Sequence, residues 1–317
     1  MPHALHRATI ALQTPLGTPL AGDTLFGQLC WALLEAKGET ELARQLDGYT
    51  AGAPWLVVSD GFPSGFLPKP TLPQHFEPQS DPSMRKQAKK QHWIPASNAG
   101  QALPSMLSTA VDDATAYGRA PLRTAQAHNS LSRFSGTTGE GAFAPYSMPQ
   151  TFHAAEQRID LYFVLDEERT SQNEVRTLLA ATGLIGFGRD AGIGLGKFTI
   201  EALEPAPFAR SEGANAHWTL APSAPQGMGF DQSRSYWRVL TRFGRHGNSH
   251  ALSRSPFKTP IILAATGAVF TPAGNFAACP FIGQGLGGGG ALSRTEPATV
   301  HQGYAPALPI ALESTPP

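Results

Sequence analysis

Two stretches of this 317-residue chain concentrate the groups that could do chemistry. The first, Gly183-Leu-Ile-Gly-Phe-Gly-Arg-Asp-Ala-Gly-Ile-Gly-Leu-Gly-Lys-Phe198, carries six glycines with the cations Arg189 and Lys197. Gly188, Gly192, Gly194 and Gly196 leave a bare backbone that can approach a ligand closely, and the two cations suit a polyanion. The second stretch runs from Arg119 to Tyr146. There Arg119, Arg123, His128, Asn129, Arg133, Thr137 and Thr138 supply hydrogen-bond donors, and Phe134, Phe143 and Tyr146 supply flat faces. Cations and hydroxyls answer phosphate and 2′-OH groups, and aromatic rings answer unstacked bases, so the mixture fits single-stranded RNA. By composition alone, a solvated loop with incidental arginines describes it slightly better.

The order of elements around the glycine loop argues against a third reading, a nucleotide-dependent enzyme that uses it as a mononucleotide or dinucleotide site. P-loops and dinucleotide fingerprints run strand, glycine loop, helix, because phosphate sits at the positive end of the following helix. Here Ser171-Gln-Asn-Glu174 reads as a capping box, Val175, Leu178 and Leu179 mark the buried side of a helix ending at Gly183, and Lys197 to Glu201 alternates as a strand does. The spacing fails as well: Ala191 stands where a P-loop needs its first glycine, and Phe198 replaces the metal-binding Ser or Thr. No cofactor is expected.

Catalysis ranks below binding. Metal-independent RNA cleavage needs a base and an acid, and of the ten histidines only His128 lies in a basic, polar setting. His246 and His250 flank Gly247-Asn-Ser and offer another site, although exposed loop histidines with no task are the commoner case. Asp112-Asp113 has no His partner, so no metal site is expected. Lys69, held between two prolines, is a further candidate contact, with a purely structural turn as its alternative. In the second glycine run, Gly283, Gln284 and Gly285 lead into Gly287 to Gly290 without a nearby cation, so linker and RNA contact are equally consistent with it. The basic segment 83–93 places Arg85 with Lys89 and Lys86 with Lys90 on adjoining helical positions, most simply a solvated face.

The elements that must position these groups begin with a strand at 7–13. A helix follows with Asp23 as N-cap and Leu25, Phe26, Leu29, Cys30, Leu33 and Leu34 at helical spacing. A short strand at 55–59 and a firm one at 158–165, with Ile159, Leu161, Phe163 and Leu165 inward, bracket a long irregular segment. The order strand, helix, strand, insertion, strand, helix, strand is that of a ferredoxin-like fold. The fold class is therefore α+β. A ferredoxin-like first domain is expected over 1–202 with an insertion at 68–150, an Ala/Pro/Ser/Gly-rich linker over 203–230, and a degenerate ferredoxin-like domain over 231–317. In that last domain strands are expected at 236–243, 260–270 and 300–312.

Composition narrows the setting. The 41% hydrophobic content supports a real core, and 33 Gly with 28 Pro imply many loops. Zero net charge means that nucleic-acid binding must rest on local basic patches. Cys30 and Cys279 are too few and too far apart for a disulfide framework. With no signal peptide pattern and no membrane-length apolar run, a cytoplasmic protein with no membrane association is expected.

Several motifs in combination resemble the RAMP superfamily: Pro15-Leu-Gly with Gly22-Asp-Thr-Leu-Phe-Gly27, Phe62-Pro-Ser, Leu67-Pro-Lys-Pro70, His128-Asn-Ser-Leu-Ser-Arg-Phe-Ser-Gly-Thr-Thr-Gly-Glu-Gly141, and the glycine loop ending Gly194-Leu-Gly-Lys-Phe198. Within it, they look like the Csm-complex subunit of type III-A CRISPR effectors that holds the 5′ end of the guide RNA. The resemblance implies two ferredoxin-like (RRM-like) domains, a protruding β-hairpin thumb over about 121–150 that presses on the guide, and binding of the repeat-derived 5′ tag of the crRNA. It also implies docking against the large polymerase-cyclase subunit and the backbone RAMP subunits, in a non-catalytic scaffold role. The alternative, drawn from relatives of this fold that cut CRISPR repeats, is a metal-independent endoribonuclease.

Overall fold

The computed structural model describes residues 3–77, 85–206, 208 and 211–312. Its first sheet is built from β1 (His3–Leu12), β2 (Leu56–Val58), β5 (Ile159–Asp166) and β6 (Phe198–Pro205) in the order β2-β5-β1-β6, with the short strand Phe62–Pro63 also pairing with the start of β5, every pair antiparallel. Helix α1 (Gly22–Lys37) connects β1 to β2, and α2 (Gln172–Ile185) connects β5 to β6. Leu25, Phe26, Leu29 and Leu33 of α1 and Val175, Leu178 and Leu179 of α2 recur at helical spacing because that stripe covers Ala8, Ile10, Leu161 and Phe163 of the sheet. Each such side chain fully buried stabilises by about 1.5–3 kcal/mol.

The start of α1 and the end of α2 differ from the sequence expectation. Helix α1 begins at Gly22 with Ala21 as its cap, not at Asp23, because Asp60 Oδ1 accepts the Gly22 N–H at 2.8 Å from across the sheet. Only glycine fits there, since a Cβ would lie 2.2 Å from Val58 O. Helix α2 starts as expected, with Ser171 Oγ accepting the Glu174 N–H at 3.1 Å, but the Glu174 carboxylate turns to Lys37 and Thr170 instead of back to Ser171. It runs on past Gly183 to Gly186, whose φ of +112° ends it. Gly183 is inside the helix because β6 packs so close that a Cβ would meet Phe198 O at 2.4 Å.

Every residue of β5 is buried. Ile159, Leu161, Phe163 and Leu165 face the helices as expected, while Tyr162 joins a second core with Trp218, Leu308, Met106 and Leu107. That core is covered by a second antiparallel sheet, ordered β10-β7-β12-β11 from β7 (Ala216–Thr219), β10 (Val269–Phe270), β11 (Phe281–Gly283) and β12 (Tyr304–Ile310). The expected linker 203–230 is thereby corrected. It opens with the end of β6 and contains β7, a central strand whose brevity was hidden by the surrounding Ala, Pro and Ser residues. Among the described residues after 206 there is no α-helix, only 3₁₀ turns such as Gln232–Arg234. The expected strand 260–270 is broken at Gly267, φ +87°, into β9 (Ile261–Ala264) and β10. Strand β9 pairs with β8 (Val239–Arg242) as a separate two-stranded ribbon.

The insertion 68–150 contributes more to the core than expected. Its short helix Leu103–Ser108, with Pro104 in the first turn, buries Leu103, Met106 and Leu107. Beyond it, β3 (Leu122–His128) pairs antiparallel with β4 (Tyr146–Phe152), from Leu122 opposite Phe152 to His128 opposite Tyr146. Strand β3 is exposed from Leu122 to Ala127, β4 is covered at Met148, Gln150 and Thr151, and the hairpin contributes no residue to any hydrophobic core.

The halves are fastened by side chains of the second onto backbone of the first. The Gln302 amide makes both hydrogen bonds of a strand partner with Val58, at 2.8 Å each, and Tyr304 donates to Tyr49 O at 2.6 Å.

Candidate nucleic-acid interface

A cavity of about 1140 Å³ opens where the β1–α1 loop, the glycine loop, the base of the β3–β4 hairpin and the β8 ribbon converge. Four arginines line it: Arg123 from β3, Arg189 from the glycine loop, and Arg238 and Arg242 from the ribbon. Lys69 also reaches it, after the proline-flanked turn is fixed by Lys69 N–H donating to His92 O at 2.7 Å.

The glycine loop is ordered by its own chain. Gly196 N–H donates to Pro15 O at 2.8 Å, Lys197 N–H to Thr14 Oγ1 at 2.8 Å, and Arg189 N–H to Thr18 Oγ1 at 3.0 Å. A Cβ on Gly196 would sit 2.2 Å from Phe187 O, and one on Gly188 would sit 2.9 Å from Thr18 Cβ, so those glycines serve close packing. Gly192 and Gly194 have open space around them. Asp190, at φ +67°, pairs with Arg189 Nε at 3.1 Å, and Arg189 Nη2 donates to Pro149 O at 2.8 Å, tying the loop to the hairpin base. Leu16 and Thr151 add a β-bridge at the same place.

Among the described residues, neither Arg123 nor Arg238 has an ion-pair partner, and both are exposed. The other cations are partly satisfied. Lys69 Nζ lies 2.6 Å from Glu77 Oε2, and Arg242 Nε lies 2.6 Å from Asp23 Oδ2. Burial pushes the Asp23 carboxyl up, but His301 and Arg242 more than offset this and hold it below the ordinary range. Asp60 also lines the cavity. Burial pushes its carboxyl up to about 6, in spite of hydrogen bonds from Thr266 and the Gly22 N–H. Its two oxygens thus tie the start of α1 to the turn between β9 and β10.

The cavity therefore unites Lys69, Arg123 and Arg189 of the residues expected from sequence. Arg119, Asn129, Arg133, Thr137, Thr138 and Phe143 are exposed along the hairpin and its approach, outside the cavity lining. His128 stacks on Tyr146, ring centroids 5.4 Å apart and planes 13° from parallel. Gly283 is buried against Gly303 within the second half, Gly285 is buried between the halves, where a Cβ would lie 2.4 Å from Tyr49 O, and Gln284 donates to Gln226 O at 2.9 Å. The second glycine run thus begins as a packing element away from the cavity. Of the basic segment 83–93, residues 83–84 lie outside the described residues, and the rest opens as the helix Arg85–Ala88.

Sequence reasoning missed Arg238 and Arg242. Their signal was present: in the expected strand 236–243 they fall at alternate positions around Leu240, on one face, and all three line the cavity. Asp60 was hidden because its partners, Gly22 and Thr266, are remote in sequence. Among the described residues, no group of three or more His, Cys, Asp or Glu side chains is arranged to hold a metal, and no helix is long and apolar enough to cross a membrane.

The fold is mixed α/β with antiparallel sheets, and the site is a cation-lined cleft between them. The same fold occurs in solved CRISPR assemblies. A chain of a Csm1–Csm4 cassette in complex with cA4 matches at TM-score 0.62 and 16% identity, over 98% of this chain and 99% of that one. A chain of the cassette in complex with pppApA matches at 0.60 and 17%, over 99% and 100%. A chain of a Csm3–Csm4 subcomplex of the type III-A CRISPR-Cas interference complex matches at 0.57 and 12%, over 96% and 100%. No protein-family model and no curated protein matches the chain.

Proposed function

We propose that this chain is a non-catalytic RNA-binding subunit of a type III-A CRISPR interference complex, of the RAMP superfamily, which holds the 5′ tag of the crRNA in the arginine-lined cavity. The observation that carries the reading is the pair Arg123 and Arg238, exposed and without ion-pair partners among the described residues, brought from remote segments to one cavity. Free guanidinium groups converging on a cleft serve phosphate oxygens, which they can bind in bidentate fashion. The likeness in fold to chains of Csm1–Csm4 and Csm3–Csm4 structures supports a multisubunit setting. In it, the chain would dock against the large polymerase-cyclase subunit and the backbone RAMP subunits.

On this reading the β2-β5-β1-β6 sheet with α1 and α2 is a ferredoxin-like unit, and the second sheet is a degenerate copy that has kept its strands. The β3–β4 hairpin is the thumb. Its exposed Phe134, Phe143 and Tyr146 present rings beside Arg133 and His128, a combination suited to unstacked bases. The test is competition binding with an RNA carrying the repeat-derived 5′ tag and the same RNA without it. The tagged RNA is expected to bind about tenfold more tightly, a difference of about 1.4 kcal/mol. Equal affinities would remove the tag from the account, and multiple-turnover cleavage abolished in His128→Ala would replace the scaffold by a ribonuclease.

A further inference from the structure

A second, shallower groove of about 330 Å³ adjoins the cavity, lined by Thr71, Leu72, Pro73, Ser235, Tyr236 and Trp237. Thr71 and Leu72 belong to both walls, so the two spaces lie side by side. Trp237 is 43% exposed, and its chain neighbour Arg238 lines the cavity. The tryptophan is not loose on the surface. Its ring stacks on Phe270, centroids 5.9 Å apart and planes 26° from parallel, and Phe270 stacks in turn on Phe230 at 4.9 Å. Tyr236 before it is pinned by a backbone bridge to Val269 and by an edge contact with Phe76. The opposite wall is equally fixed, because Thr71 N–H donates to Gly267 O at 2.7 Å.

We infer that Trp237 is a base-stacking platform for a nucleotide leaving the cavity, in the groove between the Thr71–Pro73 segment and Ser235–Trp237. The inference rests on the RNA-binding reading above and extends the path of the strand beyond the arginines. A rigidly backed indole and an unpaired guanidinium on neighbouring residues supply the two kinds of group that single-stranded nucleic acid uses: one takes a base face, the other a backbone phosphate. Successive side chains of an extended segment leave it on opposite sides, so Trp237 would take a base on the groove side while Arg238 takes a phosphate on the cavity side. Base stacking carries no charge. Losing it should therefore weaken binding without changing its salt dependence, which separates this site from the arginines.

The experiment titrates the full chain with single-stranded oligoadenylate and oligouridylate, reading affinity across a salt series and tryptophan fluorescence. Trp237→Ala is expected to weaken binding about tenfold with an unaltered salt slope, in line with about 1–3 kcal/mol per stacked base. Trp237→Phe, which keeps an aromatic face, is expected to retain most of the affinity and to lose the binding-induced quenching of wild-type fluorescence. Salt-dependent wild-type binding with affinity and quenching unaltered in both variants overturns the platform and leaves the cavity reading standing. Wild-type protein that binds neither RNA overturns the cavity reading and the platform with it. If Trp237→Ala binds RNA normally but fails to assemble with partner subunits, the groove is a protein contact and the inference is wrong.

Discussion

At the scale of residues, the cleft is shaped by charges that are already committed as much as by those left free. Arg242 holds the fully buried carboxylate of Asp23 through two hydrogen bonds, at 2.6 and 3.0 Å, with His301 Nε2 at 3.3 Å. Removing one member of such a pair strands the other, which costs more than the pair itself contributes. Arg242→Ala should therefore destabilise the fold by about 3 kcal/mol in urea unfolding, and adding Asp23→Asn should restore part of the loss. Recovery absent from the double variant would show that Arg242 acts by packing instead. Asp60 predicts a pH dependence of the opposite kind to an ordinary ion pair. Its folded carboxyl is raised to about 6, so the folded state binds the proton more tightly than the unfolded chain does. The stability it contributes is complete below the ordinary carboxylate range near pH 4 and is lost as pH rises to about 6, an effect on the order of 2–3 kcal/mol. Asp60→Asn, which can still accept from the Gly22 N–H, should remove that decline between pH 4 and 6 and be no less stable than wild type at pH 7. A wild-type profile parallel to that of the variant would contradict the assignment.

At the scale of elements, close approaches decide where helices and loops end. Gly183→Ala is a sharp case. In an exposed helix the change would stabilise by about 1 kcal/mol, but here the new Cβ would meet the backbone oxygen of Phe198 at 2.4 Å, and backbone cannot swing aside. Overpacking of this kind costs about 1–3 kcal/mol, so the variant should unfold at lower urea concentration than wild type. Stabilisation would mean that α2 and β6 have room to separate. The same contact explains what could be read in advance and what could not. The start of α2 at Ser171 and the inward face of β5 are set by local residue types, and both were legible. Gly183 is a glycine because of Phe198 across the loop and not because the helix stops there, and the start of α1 depends on Asp60, remote in sequence, so the residues along the chain alone misplace both ends. The glycine loop was legible as a close-approach loop, but its main close partner is the Thr14–Thr18 segment of the same chain. That leaves Arg189 to face the cavity. Strand β7 escaped because four buried residues amid Ala, Pro and Ser carry too little periodicity to stand out.

At the scale of the whole molecule, the cavity exists only because the two halves are locked together. Gln302 on Val58, Tyr304 on Tyr49, Arg242 on Asp23 and Thr266 on Asp60 all cross from the second half to the first. Arg123 and Arg238 are brought to one space from segments that no sequence pattern links, which is why only part of the site was legible beforehand. The zero net charge makes the same point, since on the proposed reading attraction of RNA cannot come from the surface as a whole and has to rest on a local cluster such as this one. The most direct measurement is the salt dependence of single-stranded RNA binding by wild type and by Arg123→Ala with Arg238→Ala. Two lost phosphate contacts on a single strand should make the slope of log affinity against log salt shallower by about 1.4 and weaken binding at low salt. An unchanged slope and affinity in the double variant, or wild-type binding indifferent to salt, would contradict the account.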